Sequence, residues 1–369
     1  MVFTISRMKG MDMTTKKRIT LEDVSRAAGV SLSTASMVLS CRPGISFSEE
    51  TVRKVRQAAE VLGYKGTQKR RPAHSGQKMV FIVSPNIGNA YYSTMIQAVQ
   101  QEAARRGCTT LIFTTYRDAA KEEELLDLAV EQGAAGIIFT MMPRCVKRIE
   151  NINRSIPIVV IGDRNSSFNV DTVELDNFSA GQLVGKHMLN MGHRHIAFIS
   201  TTLNGVNAMR VRRLEGVQSI YAQEKDTSVE VFSREVSPQQ ELDDIGIEHR
   251  IGYELTVEWL KKRGRISGIV AVNDSVAYGV LDALAEKGLR VPEDYSVCGF
   301  DNLSVSRLSG VGLTTVEHHI VEKGRHAFHI LYERIQGGNT KNNITRIEFT
   351  HHLLVNRSTA PLKPTGENA

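Results

Sequence analysis

The sequence predicts a small all-α helix-turn-helix head followed by an α/β body of two doubly wound parallel-sheet subdomains. Three observations lead there. The charge is uneven: residues 1–78 hold 15 Lys or Arg against 6 Asp or Glu, a net of +9, while residues 79–369 hold 31 against 34, a net of −3. Residues 19–64 carry three short helical patterns punctuated by glycine. From Lys78 onward, short Val/Ile/Phe-rich runs alternate with helical stretches in two successive series.

A small basic end on a near-neutral body is the electrostatic outline of a nucleic-acid-binding head. Within it, Thr20 and Asp23 have the spacing of a helix N-cap and its reciprocal partner. Leu21, Val24 and Ala28 then repeat at helical spacing as far as Gly29, a residue suited to a left-handed helix end. Ser31 is placed to cap a second helix with Leu32, Ala35, Val38 and Leu39 on its apolar face. A third helix begins at Ser48, with Glu49 and Glu50 favourable in its first turn, and Gly63 ends it. The second helix carries Ser31, Ser33, Thr34 and Ser36 where an ordinary solvated face would carry Lys and Glu, which are better helix formers. Short hydroxyls let a helix backbone approach a major groove and bond phosphates or base edges.

The body starts as Val80–Val83, Thr110–Phe113, Gly136–Phe139 and Ile158–Ile161, and continues after a break near 171–178 as Ile196–Ile199, Val229–Phe232, Gly268–Ala271 and Ser296–Gly299. Continuous apolar strands separated by helices imply parallel sheets covered on both faces. Ligands bind such sheets at the carboxyl ends of their strands. Those ends hold Ser84-Pro85-Asn86, Gly162-Asp163-Arg164, Asn273-Asp274 and Gly299-Phe300-Asp301-Asn302, a set of donors and acceptors matched to a polyhydroxyl or nucleobase-like ligand. Tyr91 and Tyr92 are placed to stack on a ring face. Asp176-Asn177 reads as the cap of the following helix, and Asp274 is equally placed to cap the helix from Ser275 to Lys287. Arg213 is open between the cleft and a pairing with Glu215.

Other classes find less support. At 41% apolar and 23% charged residues the chain is globular in composition, and no apolar run reaches the roughly 20 residues of a membrane span. MVFTISRMKGMDM has no sustained apolar core or small-residue cleavage site, so no secretion signal is expected. Cys41, Cys108, Cys145 and Cys298 are scattered without a CxxC, which fits a reducing cytoplasm. His193-x-His195, His318-His319 and His351-His352 lack neighbouring acidic or Cys ligands, and no metal or cofactor is expected. Gly181-x-x-x-Gly185-Lys186-His187 imitates a phosphate loop but lacks a residue between its glycines and the terminal Ser/Thr, and falls within a helical pattern. An enzyme would need a signature such as GxGxxG after a strand or GxSxG, and neither is present. A ligand-independent architectural DNA binder is the alternative that the strand-end polar set opposes.

The stretches ITLEDVSRAAGVSLSTASMVL and SEETVRKVRQAAEVLGY resemble the DNA-binding head of the lactose/galactose repressor (LacI/GalR) family of bacterial transcription regulators. NAYYSTMIQAV, IPIVVIGDR, ELDNFSAGQLVGKHML, GIVAVNDSVAYGVL and LRVPEDYSVCGFDN are similar to its effector-binding body, which is periplasmic-binding-protein-like. The resemblance implies base reading by Leu32, Ser33 and Met37 and phosphate contacts from Thr34 and Ser36, with Thr20 and Ser31 beside them. It implies effector contacts from Asn89, Tyr91, Tyr92, Asp163, Arg164, Arg213, Asn273 and Asp301. Two departures stand out. Met37 occupies a place where the family commonly has Arg, which favours apolar contact with thymine methyl groups, and Ser40-Cys41 replaces an Asn-Gly-like helix end. In the hinge, the family's minor-groove Leu is replaced by Ala73 after Pro72, which leaves Lys69, Arg70 and Arg71 to neutralise phosphates or enter a narrow minor groove.

The expected organisation is thus a disordered extension over 1–18, a DNA-binding unit over 19–64 and a hinge over 65–77. An effector-binding and dimerisation body over 78–369 follows, with crossovers near 171–178, 300–303 and 350, and a frayed tail over 357–369. The expected function is that of a cytoplasmic, homodimeric, sequence-specific transcription regulator, most simply a repressor. Its partners would be double-stranded DNA bearing a near-palindromic operator and a small effector, a sugar or sugar derivative.

Overall fold

The computed structural model of the protein describes residues 19–39, 47–64, 78–164, 168–262, 264–337 and 343–362. The expectations placed on residues 1–18, on Ser40 and Cys41, and on the 65–77 hinge with Lys69, Arg70, Arg71, Pro72 and Ala73 lie outside the described residues. The chain divides into two units, 1–76 and 77–369.

The first unit is built from α1 (Leu21–Ala28), α2 (Leu32–Leu39) and α3 (Glu49–Val61). Thr20 and Asp23 form a full capping box, with Thr20 Oγ1 accepting from Asp23 N at 3.3 Å and Asp23 Oδ2 accepting from Thr20 N at 2.8 Å. Gly29 ends α1 at φ 66°, a left-handed conformation that glycine adopts without steric cost. Ser48 caps α3 through Thr51 N. Val24, Ala35, Val38, Val55 and Ala59 form the core, with Leu21, Leu39, Phe47 and Tyr64 packed around it.

The second unit contains two six-stranded sheets. In the first half, β1 (Lys78–Ser84), β2 (Cys108–Thr114), β3 (Gly136–Phe139), β4 (Ile158–Asp163) and β5 (Asp171–Leu175) pair in parallel with β11 (Arg346–Phe349), in the order β11-β5-β4-β3-β1-β2. In the second half, β6 (His195–Ser200), β7 (Ser228–Ser233), β8 (Gly268–Ala271), β9 (Ser296–Asp301) and β10 (Thr314–Glu317) are joined by an antiparallel edge strand, β12 (His352–Leu354), in the order β12-β10-β9-β8-β6-β7. The central strands are buried on both faces, as their unbroken apolar runs require. Each sheet is covered on both sides. The first carries α4 (Ala90–Arg105), α5 (Ala119–Gln132), α6 (Val146–Ile152) and α12 (Ile320–Ile335). The second carries α7 (Asn177–Asn190), α8 (Ala208–Tyr221), α10 (Ile247–Leu260) and α11 (Asp274–Glu286), while the short α9 (Pro238–Asp243) between β7 and α10 buries no residue.

The chain changes halves three times: at Asp176 between β5 and α7, at His318-His319 between β10 and α12, and at Thr350-His351 between β11 and β12. The middle crossover corrects the expected one at 300–303. After Asp301 the chain makes a 3-10 turn at Ser304–Arg307 and returns as β10, in parallel register with Cys298–Asp301 of β9. Val316, fully buried on that strand, holds the return in the second half. The expected tail is a second correction. Ser358 and Thr359 are buried, and Ser358 Oγ accepts from Thr314 N at 2.7 Å and donates to the Val297 carbonyl at 2.6 Å. Ala360 N donates to Ser296 Oγ and Leu362 N to the Met191 carbonyl. A polar segment of low hydropathy reads as a tail, but its hydroxyls complete the hydrogen bonds of β9 and β10; residues 363–369 lie outside the described residues.

Glycine sets the spacing of two helix pairs. A Cβ on Gly216 of α8 would lie 2.1 Å from the Phe178 carbonyl oxygen of α7, and one on Gly181 of α7 would lie 2.1 Å from the Arg213 carbonyl oxygen of α8. The contact between α10 and α11 is built the same way, with a Cβ on Gly279 falling 1.9 Å from the His249 carbonyl oxygen. Gly181 and Gly185 therefore serve helix packing. Gly216→Ala is expected to destabilise the body by about 2–3 kcal/mol through backbone displacement. Helix propensity alone favours Ala by about 1 kcal/mol, so the sign of the change in denaturant unfolding decides between the two.

Two crossovers place histidines side by side: the His318 and His351 rings are 5.1 Å apart. Burial lowers both, His351 to about 4, with the nearby cations Arg213 and Lys323 acting in the same direction. A histidine depressed in the fold contributes stability above its unfolded pKa of about 6.5, lost as pH falls toward its folded value. The stability difference between the parent and His351→Gln is expected to shrink between about pH 6.5 and pH 4. A difference independent of pH in chemical denaturation would contradict this assignment.

Candidate functional site

In the head, the surface at the start of α2 is composed of small polar groups. Ser31 Oγ accepts from Thr34 N at 3.1 Å and shares hydrogen bonds of 2.8 Å with the Ser33 and Thr34 hydroxyls. Ser31, Leu32, Ser33 and Ser36 are exposed, whereas Thr34 and Met37 are half-buried. Leu32, at 51% exposure, presents a large apolar side chain on this surface. The Thr20 hydroxyl is engaged with Asp23 in the α1 cap yet remains exposed.

In the body, a cavity of about 530 Å³ lies between the two halves, at the carboxyl ends of both sheets. It brings together Asn89, Tyr91, Tyr92, Arg213, Asn273 and Asp301 from the expected set. Asn89 caps α4, its Oδ1 accepting from Tyr91 N at 2.8 Å, and Asn273 caps α11, accepting from Val276 N at 2.9 Å. Each amide is thereby oriented by the helix it starts. Both then donate to one carboxylate, Glu248 of α10, at 2.6 Å from Asn89 and 2.9 Å from Asn273. Tyr92 is buried, and its hydroxyl accepts from Arg117 at 3.1 Å. Tyr91 is buried too; its ring lies 4.6 Å from Lys323 Nζ, and its hydroxyl bonds that amine.

Arg213 is the centre of the buried polar network. Its Nε donates to Asn177 Oδ1 at 2.9 Å, Nη1 to the Val272 carbonyl at 2.7 Å, and Nη2 reaches Asp301 Oδ1 at 3.4 Å and His318 Nδ1 at 3.2 Å. The pairing with Glu215 weighed from the sequence belongs instead to its neighbour Arg212. Asp301 holds a left-handed φ of 115° at the end of β9, a conformation maintained by the surrounding fold. Burial pushes its carboxyl up and brings the Lys323 amine down, each opposing the other's shift through their mutual attraction. Asp274 does not cap α11. It is buried and accepts from Leu303 N, Ser306 Oγ and Thr315 Oγ1, tying the loop after β9 to β10. Asp176 does cap α7, accepting from Phe178 N and Ser179 N.

Two expected residues lie off the cavity wall. Asp163 Oδ1 accepts from both the backbone N and the side-chain amide of Asn177, at 3.1 and 3.0 Å, and so acts through the Asn177–Arg213 bond. Arg164 is exposed and 3.7 Å from Glu348. The sequence reading missed Arg117, the Met141–Arg144 loop and the segment from Asn204 to Arg210, all of which line the cavity. They follow β2, β3 and β6, so the strand-end rule applied to every strand would have found them. Glu241 and Glu248 carry no such signal. Glu241 pairs with Arg117 at 3.1 Å and accepts from Asn86 at 3.2 Å, and Glu248 pairs with Arg210 at 2.6 Å. The Glu241 contacts and the Asn89–Glu248 bond join the two halves across the cleft, while the Arg210–Glu248 pair lies within the second half.

Residues 20–66 match the pattern described as "Bacterial regulatory proteins, lacI family", and residues 186–359 match a "Periplasmic binding protein-like domain". The chain is 27% identical over 343 residues to the HTH-type transcriptional repressor PurR of Haemophilus influenzae, across 92% of this chain and 98% of that protein. Among solved structures, a LacI family transcriptional regulator from Enterococcus faecium with bound ribose is similar at a TM-score of 0.65 and 27% identity, over 78% of this chain and 100% of that one. The lac repressor dimer bound to operator and an anti-inducer shares the fold at a TM-score of 0.64 and 21% identity, over 93% of this chain and 100% of that one. The capped helix-turn-helix and the two sheets closing on a polar cavity agree with these matches: the chain carries a lacI-family helix-turn-helix head and a periplasmic-binding-protein-like body.

Proposed function

We propose that the chain is a sequence-specific DNA-binding transcription regulator, acting as a repressor, whose operator binding is governed by a small sugar-like effector held between the two halves of its body. The observation that carries this reading is the joining, in one chain, of a basic helix-turn-helix with exposed short hydroxyls to a cleft of about 530 Å³ lined by polar side chains. Relatives named as repressors, and a similar regulator solved with ribose, support it. Residues 19–64 form the reading unit, with Leu32, Ser33 and Met37 on bases and Thr20, Ser31, Thr34 and Ser36 on phosphates. Residues 65–77 form the hinge, whose Lys69, Arg70 and Arg71 add phosphate contacts. Asn89, Tyr91, Tyr92, Arg213, Asn273 and Asp301 hold the effector, and Asp163 acts as a positioning residue.

Two heads of a homodimer match the two-fold symmetry of a palindromic operator. An effector that prefers one closure angle of the cleft shifts the population of that angle, and so the affinity for DNA. The cavity favours binding over turnover: its described lining has one carboxylate, Asp301, and no Ser, Cys, Lys or His. Among the described residues no helix is long and apolar enough to cross a membrane, and a DNA-reading role assigns the chain to the cytoplasm.

Selection from random DNA is expected to recover a palindrome bound about 10³-fold more tightly than bulk DNA, and Met37→Arg to change the preferred bases. Recovery of no motif, with or without sugars, would remove the reading. An unaltered preference in the variant would remove α2 as the reader. Asp301→Asn retains the shape of a group that Arg213 and His318 contact. It is expected to weaken the effector response at least about tenfold while operator affinity without effector is retained, as read by fluorescence anisotropy.

A further inference from the structure

The charge on the cavity wall identifies the class of effector more narrowly, and the argument rests on the cavity being the effector site. Four guanidiniums line it, Arg117, Arg144, Arg210 and Arg213, against the single carboxylate of Asp301. Three of the four have a counter-ion, and two of those counter-ions, Glu241 and Glu248, stand behind the lining. The cationic ends of these pairs therefore face the cavity. Arg144 is different. It is exposed at the wall, its side chain donates to the Arg117 carbonyl at 3.4 Å, and the carboxylate nearest it in the fold, Glu122, accepts from its backbone N at 2.8 Å, with no ion pair to the guanidinium among the described residues. That bond also sets Arg144 next to Arg117. Three long helices, α4, α8 and α11, begin at the cavity with Asn89, Asn207 and Asn273 on its wall, and each adds the positive end of its dipole.

A neutral polyol has no use for a guanidinium held in no ion pair beside three helix N-termini in a partly closed cleft, where charge interactions are stronger than in water. We propose that the effector is a small polyol bearing an anionic group, a carboxylate or a phosphate, with the anion between Arg117 and Arg144 and the hydroxyls on Asp301 and the asparagines. Arg117 has a guanidinium edge bound to Glu241. The ligand's anion competes for that edge, which links its arrival to the contact that joins the halves across the cleft.

The test is a thermal-shift and calorimetric panel on the full chain, pairing neutral hexoses and pentoses with their aldonates, uronates and monophosphates. Binding is expected in the anionic set, at least about tenfold tighter than the neutral parent and weakening as salt rises. Arg144→Gln, a change at an exposed side chain, is expected to reduce the anion-to-neutral affinity ratio about tenfold. The acid that binds best distinguishes carboxylate from phosphate. Equal or better binding of neutral sugars, or a ratio unmoved in the variant, overturns the inference and leaves the effector site standing. Binding by neither set overturns both.

Discussion

The buried guanidinium of Arg213 is the constraint on which the rest of the body depends. Taking such a charge out of water is costly, and it is tolerated only when every edge is met. Here the partners come from four separate stretches: Asn177 just past the first crossover, the end of β8 at Val272, the end of β9 at Asp301, and the second crossover at His318. The Arg213 guanidinium also lies 4.9 Å from the Phe300 ring. Removing one partner from a network of this kind costs about 3–5 kcal/mol, because a buried charge is left unmatched. The network is therefore better understood as fixing geometry than as adding stability. The same side chain that faces the cavity determines where two of the three crossover strands sit.

Around that centre the two halves are stiff for different local reasons. In the second, glycines at α7–α8 and α10–α11 bring helix backbones to distances that no Cβ allows. In the first, Gly324 of α12 meets the Met95 carbonyl of α4 in a similar close approach, a Cβ there falling at 2.7 Å. Between the halves the connections are of another kind. Asn86, Asn89 and Arg117 reach Glu241 and Glu248 through side-chain hydrogen bonds and an ion pair at the cleft. Such bonds are individually strong but are readily exchanged for bonds to a ligand or water. Close-packed halves with exchangeable ties between them concentrate conformational freedom at the cleft.

Much of this was legible in the chain. The capping box at Thr20, the glycine after α1 and the caps at Ser48 and Asp176 are local, since a cap needs only its own residues and the next few. The eight apolar runs all became strands; six are buried on both faces, whereas β2 and β7 lie at sheet edges and leave Leu111, Ile112 and Val231 exposed. β5 and β10 escaped notice because Asp171–Leu175 and Thr314–Glu317 mix polar and apolar residues. Their polar groups are satisfied by distant partners, such as the bidentate Arg334 on Asp171. The segment after Asn356 looked like a tail for the same reason.

The cavity divides along that line as well. Strand-end position, visible in sequence, pointed to Asn273, Asp301 and the tyrosines, because the topology of a parallel sheet brings all strand ends to one edge. Whether a residue at such an edge faces the cleft or solvent depends on the side chain's direction and on what lies opposite; Arg164 turned outward to Glu348 while Asp163 turned inward to Asn177. Glu248 sits mid-chain with no flanking signal, and becomes the meeting point of three donors only when α10 is packed against the starts of α4, α8 and α11. The sequence by itself determined the elements, their order and the chemistry available at the strand ends, since these follow from hydropathy and capping over a few neighbouring residues. Only the tertiary structure decided which charges meet, because pairs such as Arg213 with Asp301 and Arg117 with Glu241 are separated by 88 and 124 residues, and only folding brings them together.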